Sequence, residues 1–195
     1  MFVACFSEHE DIIPQWKGYA AAGAGYAIGF DLERTALVTE TIPLRVIYGR
    51  SEQDAVIDAA IDGYLDVLER SLEAHPGQEE RTASAVGFTL VSVLTQLIAG
   101  FKDESFAHER EWRLVEFIRS GDKRRQAEIR FEPRRGVVVP FIQRPLGKAS
   151  SELPIRRVCC GPIAAPEIAA RGVTSFLRGA GLSSEVVLSK APLRF

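Results

Sequence analysis

Apolar and polar positions alternate along this chain with two different periods. Val3 to Phe6 form a short continuous apolar run, which predicts a buried strand ending at Ser7. Asp11 then precedes Ile12-Ile13-Pro14-Gln15-Trp16 and reads as a helix cap, with Pro14 in the first turn, where a missing N–H costs little. Gly18 and the stretch Gly23-Ala24-Gly25 end that helix. Tyr26–Asp31 and Leu44–Tyr48 read as strands. Helical spacing follows in Val56, Ile57, Ala60, Ile61, Tyr64, Leu65, Leu68 and Leu72, with Ser51 and Asp54 as the cap and His75-Pro76-Gly77 as the stop. A second helix is expected from about Glu79 to Gly100, with its stripe through Val86, Leu90, Val93, Leu94 and Leu97. Together the two read as a hairpin covering a core.

After Lys102 the period falls to two. Glu111–Ile118, Gln126–Phe131 and Val137–Ile142 are expected strands, the last two joined by a turn at Pro133-Arg134-Arg135-Gly136. Gln143–Leu153 reads as a loop and Ile155–Cys160 as another strand, broken by Gly161-Pro162. A helix from about Pro166 to Arg178 and a strand at Glu185–Leu188 close the pattern. Strands at both ends of the chain, helices between them and several short hairpins predict an α+β fold. The expected architecture is a mixed, mostly antiparallel sheet, a long helical hairpin insert at about 51–101 and a C-terminal helix-strand unit, in a single domain over 1–195. The expected sheet runs through the segments near Val3, Ala27, Val46, Leu114, Ile129, Val138, Val158 and Val187.

Composition narrows the function classes. The 195 residues carry a net charge of -2 and a pI near 6.0, without the basic excess of a general nucleic-acid binder. Cys5, Cys159 and Cys160 form neither a disulfide framework nor a metal spacing, which fits a reducing, cytoplasmic setting. No basic leader precedes an apolar run, so no secretory signal is expected. The apolar stretch Val86–Ala99, interrupted by Thr89, Ser92, Thr95 and Gln96, reads as too short and too polar for a membrane span. Neither a membrane nor a metal is expected as a partner.

Four segments concentrate polar groups beside expected sheet ends. Phe6-Ser7-Glu8-His9-Glu10-Asp11, with Gln15, Trp16 and Tyr19, can line a pocket or cap and decorate a helix. Gly23–Asp31 places glycines before a strand, the wrong order for a dinucleotide fingerprint, and reads as a tight turn. Gly161-Pro162-Ile163 opens a helix, a weak anion signal. The richest segment is Phe106-Ala107-His108-Glu109-Arg110-Glu111-Trp112-Arg113. On a strand its Glu109, Glu111 and Arg113 share one face, which suits either a polar pocket or a solvated, salt-bridged edge.

Phe6-Ser7-Glu8, Asp11, Gln15-Trp16, Gly18-Tyr19, Ile28-Gly29-Phe30-Asp31, Phe101-Lys102, Phe106 and Glu109-x-Glu111-Trp112-Arg113 form a set. With Gly161-Pro162 and Ser189-Lys190-x-Pro192-x-Arg194, that set resembles the bacterial family called domain of unknown function 2971. Members usually carry an upstream His-Tyr-Thr-like strand, so the resemblance implies a shortened member or a start further upstream. A shortened sheet would leave Phe2–Phe6 at an edge suited to self-association. The family is distantly similar to ADP-ribosyltransferase-like folds. That similarity implies NAD as a substrate, Glu109 or Glu111 as the strand glutamate, and Ser7, Gln15, Trp16, Tyr19 and Arg113 as residues around the nucleotide. The family's histidine has no counterpart here, and the alternative is a non-catalytic binding or regulatory module, as in bacterial defence or stress systems.

Overall fold

A computed structural model describes residues 1–20, 25–118, 121–147 and 153–192. Gly23 and Ala24 of the expected helix stop, residues 148–152 of the expected loop, and Arg194 lie outside the described residues. The chain divides into two compact units, Met1–Pro43 with Trp112–Phe195, and Leu44–Glu111.

The class is α+β with mostly antiparallel pairing. Among the described residues the strands, expected in one sheet, are shared among three. The first runs in the order β1 (Phe2–Ser7), β4 (Glu111–Glu116), β3 (Ile42–Arg45). The second is β2 (Tyr26–Phe30), β7 (Ile155–Cys160), β8 (Glu185–Leu188), with β2 antiparallel and β8 parallel to β7. The third is the hairpin β5 (Arg130–Arg134) and β6 (Val137–Phe141). Arg135 and Gly136, at φ 49° and 83°, make its two-residue left-handed turn, the twist that matches paired strands. β1 stands at the edge of its sheet, with Val3, Ala4 and Cys5 exposed.

In the first unit, Leu114, Val115, Val158, Cys159, Cys160, Leu177, Ala36 and Trp16 are buried. Burial pushes the Cys159 thiol up to about 11, with the charges of Asp11 and Glu10 adding to the effect. β4 also carries a buried Glu116, held by Arg144 (Nε 2.8 Å) and by Arg125 (3.4 Å).

Three local expectations change. Asp11 does not cap α1 (Ile13–Tyr19), whose N-cap is Ile12 without a side-chain bond. It instead accepts from the Trp16 indole N–H (2.7 Å), the Lys190 backbone N–H (2.7 Å) and the Ser189 hydroxyl, tying α1 to the segment after β8. Asp31, read as the last residue of a strand, caps α2 (Leu32–Thr39), accepting from Arg34 N at 3.0 Å. The segment Gln126–Phe131, expected as a strand, begins with the last residue of α5 (Lys123–Gln126), because Asp122 caps that turn; the strand starts at Arg130.

The second unit is built on α3 (Arg50–Ala74) and α4 (Glu79–Ala99), a hairpin closed by Gly77 at φ 81°. Gly49, not Ser51, is the N-cap of α3, and Asp54 pairs with Arg50 at 3.1 Å. The hairpin is not the buried core cover that its stripes predict: α3 has no buried residue and α4 only Ala99. At its full 21 residues, α4 is long and apolar enough, by length and composition alone, to cross a membrane. The apolar pattern extends upstream of Val86, and the hydroxyls that interrupt it in sequence do not interrupt the helix. In the helix, Thr89, Ser92 and Thr95 return their hydroxyls to the carbonyls of Ala85, Phe88 and Val91.

Candidate ligand-binding site

The residues that concentrate chemistry in the second unit follow α4. Gly100 ends the helix, and its carbonyl accepts from Ile47 N at 2.8 Å. Lys102 N then donates to Ile47 O at 3.2 Å. The Gln53 amide, one turn into α3, donates to the carbonyls of Ile47 (2.7 Å) and Lys102 (2.9 Å). The Lys102 backbone is therefore fixed from two directions before its side chain is considered.

A 3-10 helix at Glu104–Glu109, capped by Asp103, brings the chain back. Arg110 at φ 42° turns it into β4. This left-handed residue corrects the sequence expectation: Glu109 is not on the strand, so no period of two relates it to Glu111. The two carboxylates meet instead through a third group. The Lys102 ammonium lies 2.7 Å from Glu109 Oε2 and 2.9 Å from Glu111 Oε2, and 4.8 Å from the centre of the Phe106 ring. Burial alone would pull the Lys102 pKa down; the bonds and charges of Glu109 and Glu111 outweigh it and raise it above the ordinary lysine value. Glu111 is 4% exposed, and its backbone N–H donates to Tyr48 Oη at 2.8 Å.

Beside this cluster opens a cavity of about 510 Å³, within the range of small-ligand sites, whose walls include Tyr48, Gly49, His108, Glu111, Arg45 and Arg110. Sequence reasoning found Glu109 and Glu111 but gave no role to Tyr48, Arg45 or Lys102. Only Phe101-Lys102, directly after a helix stop, marked the last of these. Tyr48 had no local signal, since its contact with Glu111 spans 63 residues.

The first unit holds a second polar cavity, of about 780 Å³, and Ser7 and Gln15 line it. Its charges are mainly acidic. Glu8 accepts from the Trp112 indole at 3.0 Å, and Glu10 pairs with Arg157 at 2.9 Å, which also reaches Glu185 at 2.8 Å. Trp16 is a core residue, 3% exposed, with its N–H committed to Asp11, and Tyr19 is 80% exposed; neither lines this cavity. Arg113 sits half-buried on β4. Among the described residues, no group of three or more His, Cys, Asp or Glu side chains converges as a metal site.

Residues 15–114, just over half of the chain, match the family described as Protein of unknown function (DUF2971). The chain belongs to this family. No curated protein and no solved structure matches it. The DUF2971 match includes every residue of the Lys102–Glu109–Glu111 cluster and of the cavity beside it. Ser7, Glu8, Glu10 and Arg157 of the acidic cavity fall outside the DUF2971 span.

Proposed function

We propose that the chain binds an NAD-class dinucleotide, or its ADP-ribose part, in the Tyr48–Glu111 cavity, as an NAD-using ADP-ribosyltransferase-like or glycohydrolase-like domain. The observation that carries this reading is Glu111, a buried carboxylate paired with Lys102 at the wall of a ligand-sized cavity. A carboxylate at a cavity wall can accept a hydrogen bond from a ligand hydroxyl, and its lysine partner fixes its position. Arg45 and Arg110 line the same cavity together with Glu52 and Glu111, and the two guanidinium groups suit a diphosphate.

In turnover, the C–N bond to nicotinamide breaks and its electron pair leaves with the nicotinamide. Glu111 holds the ribose hydroxyl and offsets the positive charge that grows on the sugar. The oxygen of water, or of an acceptor group, forms the new bond to the sugar carbon and releases its proton to solvent. Binding without turnover is the second reading. It is favoured by Lys102, which shares its charge with both glutamates and so weakens the field that Glu111 presents to a cationic sugar.

A ligand present at about 100 times its Kd stabilises a protein by about 2.7 kcal/mol, ~8 °C for a chain of this size. Millimolar NAD or ADP-ribose is expected to raise the melting temperature of the wild-type chain by several degrees and that of Glu111→Gln by less. No shift in the wild type, or an equal shift in the variant, contradicts the proposal. Release of nicotinamide, assayed alongside, separates turnover from binding.

A further inference from the structure

α4 carries a second pattern besides the stripe that faces α3. Ser84, Phe88, Val91, Thr95 and Ile98 follow one another at spacings of four, three, four and three, and all are exposed. Phe88 is 69% exposed, Val91 62% and Ile98 64%. This is the heptad alternation by which one helix receives another, knobs into holes. From Thr82 to Ala99 the helix has no charged residue. The Thr95 hydroxyl donates to Val91 O at 2.7 Å and that of Ser92 to Phe88 O at 3.0 Å, so these groups stay paired when water leaves.

We propose that this stripe is a homodimer interface, with α4 of a second copy packed antiparallel across it and Val91 near the two-fold axis. Charge selects the occupant. The neighbouring helix α3 carries Glu52, Asp54, Asp58, Asp62, Asp66, Glu69 and Glu73 against only Arg50 and Arg70. Helices that lie on membranes have Lys and Arg on the polar face, and an anionic leaflet would repel these acids. A basic partner would fit α3 but gains no ion pair from the uncharged stripe. The same uncharged stripe on a second copy places no charge in the seam itself, and a two-fold axis makes such a surface self-complementary.

The test uses the full chain in sedimentation equilibrium, with helicity checked by circular dichroism. The wild type is expected to be a dimer at micromolar concentration, and Phe88→Glu to weaken dimerisation at least 100-fold with unchanged helicity. In a Cys5→Ser background, Val91→Cys is expected to form a disulfide-linked dimer, because the residue on the axis faces itself. Ser84→Cys alone is expected not to cross-link. A wild-type monomer at 100 µM overturns the proposal, as does a dimer unaffected by Phe88→Glu. Loss of the dimer on Val3→Glu with no effect of Phe88→Glu assigns association to the β1 edge and overturns it too. Flotation of the wild type with phosphatidylcholine vesicles identifies a bilayer as the occupant and has the same consequence.

Discussion

Lys102→Met is expected to destabilise the chain by about 3 kcal/mol and lower its melting temperature by ~9 °C. The lysine is the shared cation of Glu109 and Glu111, and Glu111 is 4% exposed. Removing one member of a buried charge group costs more than the net value of the group, because the two carboxylates lose their shared cation away from water. Methionine preserves most of the volume of the stem, so the loss reports charge rather than packing. The effect has a pH signature. The Lys102 pKa is raised in the folded state, so its contribution is complete below the ordinary lysine value and is lost as pH rises through the folded value. Wild type and variant should therefore differ by a constant amount from pH 7 to 9 and converge only in strong alkali. Adding Glu111→Gln to Lys102→Met should recover part of the stability, a coupling that a double-mutant cycle measures. Glu111→Gln alone should be milder, since Lys102 keeps Glu109. A drop below 2 °C for Lys102→Met would place the cluster in solvent.

Asp11→Ala is the second large effect, expected at about 2–3 kcal/mol. One carboxylate accepts from Trp16, Ser189 and Lys190. The indole N–H belongs to a side chain that is nearly fully buried, so losing its acceptor leaves a dry, unpaired donor. Burial raises the Asp11 pKa, and the bonds from Ser189, Trp16, Lys190 and Ala191 outweigh it and bring it below the ordinary aspartate value. A depressed carboxylate contributes stability above its unfolded pKa, near 3.9, and loses it as pH falls through the folded value. The acid limb of the melting curve should therefore be shallower in Asp11→Ala than in the wild type. Asp11→Asn, which retains an oxygen acceptor, should fall between them. Equal melting temperatures for Asp11→Ala and wild type would show that the tie is not maintained in solution.

The sequence resolves those elements whose signal is local. β7 and β8 are short segments with apolar cores, Val158–Cys160 and Val186–Leu188, bounded by turn residues, and their observed limits, Ile155–Cys160 and Glu185–Leu188, agree with the pattern. α4 is bounded by Gly77 on one side and Gly100 on the other, and its extent agrees as well. What was not legible depends on distance or on a single backbone angle. β2 pairs with β7 across more than a hundred residues, so nothing near Ala27 could assign it to a different sheet from Val3. α2 is only eight residues long, begins at an aspartate that also ends a strand, and includes β-branched residues that weaken the helical signal.

The same division holds in the site. Glu109 and Glu111 stood out as two carboxylates in a polar run. A period of two does not align them, because Arg110 adopts a left-handed conformation, uncommon for a residue with a side chain. Their true connection is Lys102, seven and nine residues upstream, across a 3-10 turn that the alternating pattern concealed. Trp16 and Asp11 belong to a recognisable motif for an architectural reason: they hold the start of the chain to the segment after β8.

Calorimetric titration of the wild-type chain with ADP-ribose, and with its deoxy analogue lacking the distal ribose hydroxyls, tests the Glu111 cavity most directly. Hydrogen bonding of a buried carboxylate to a hydroxyl predicts that ADP-ribose binds at least ~10-fold more tightly, a difference of about 1.4 kcal/mol, and that Glu111→Gln, which keeps an acceptor but loses the charge, reduces the preference. Equal affinity for the two ligands, or no heat from either at millimolar concentration, would contradict a ribose-binding role for Glu111.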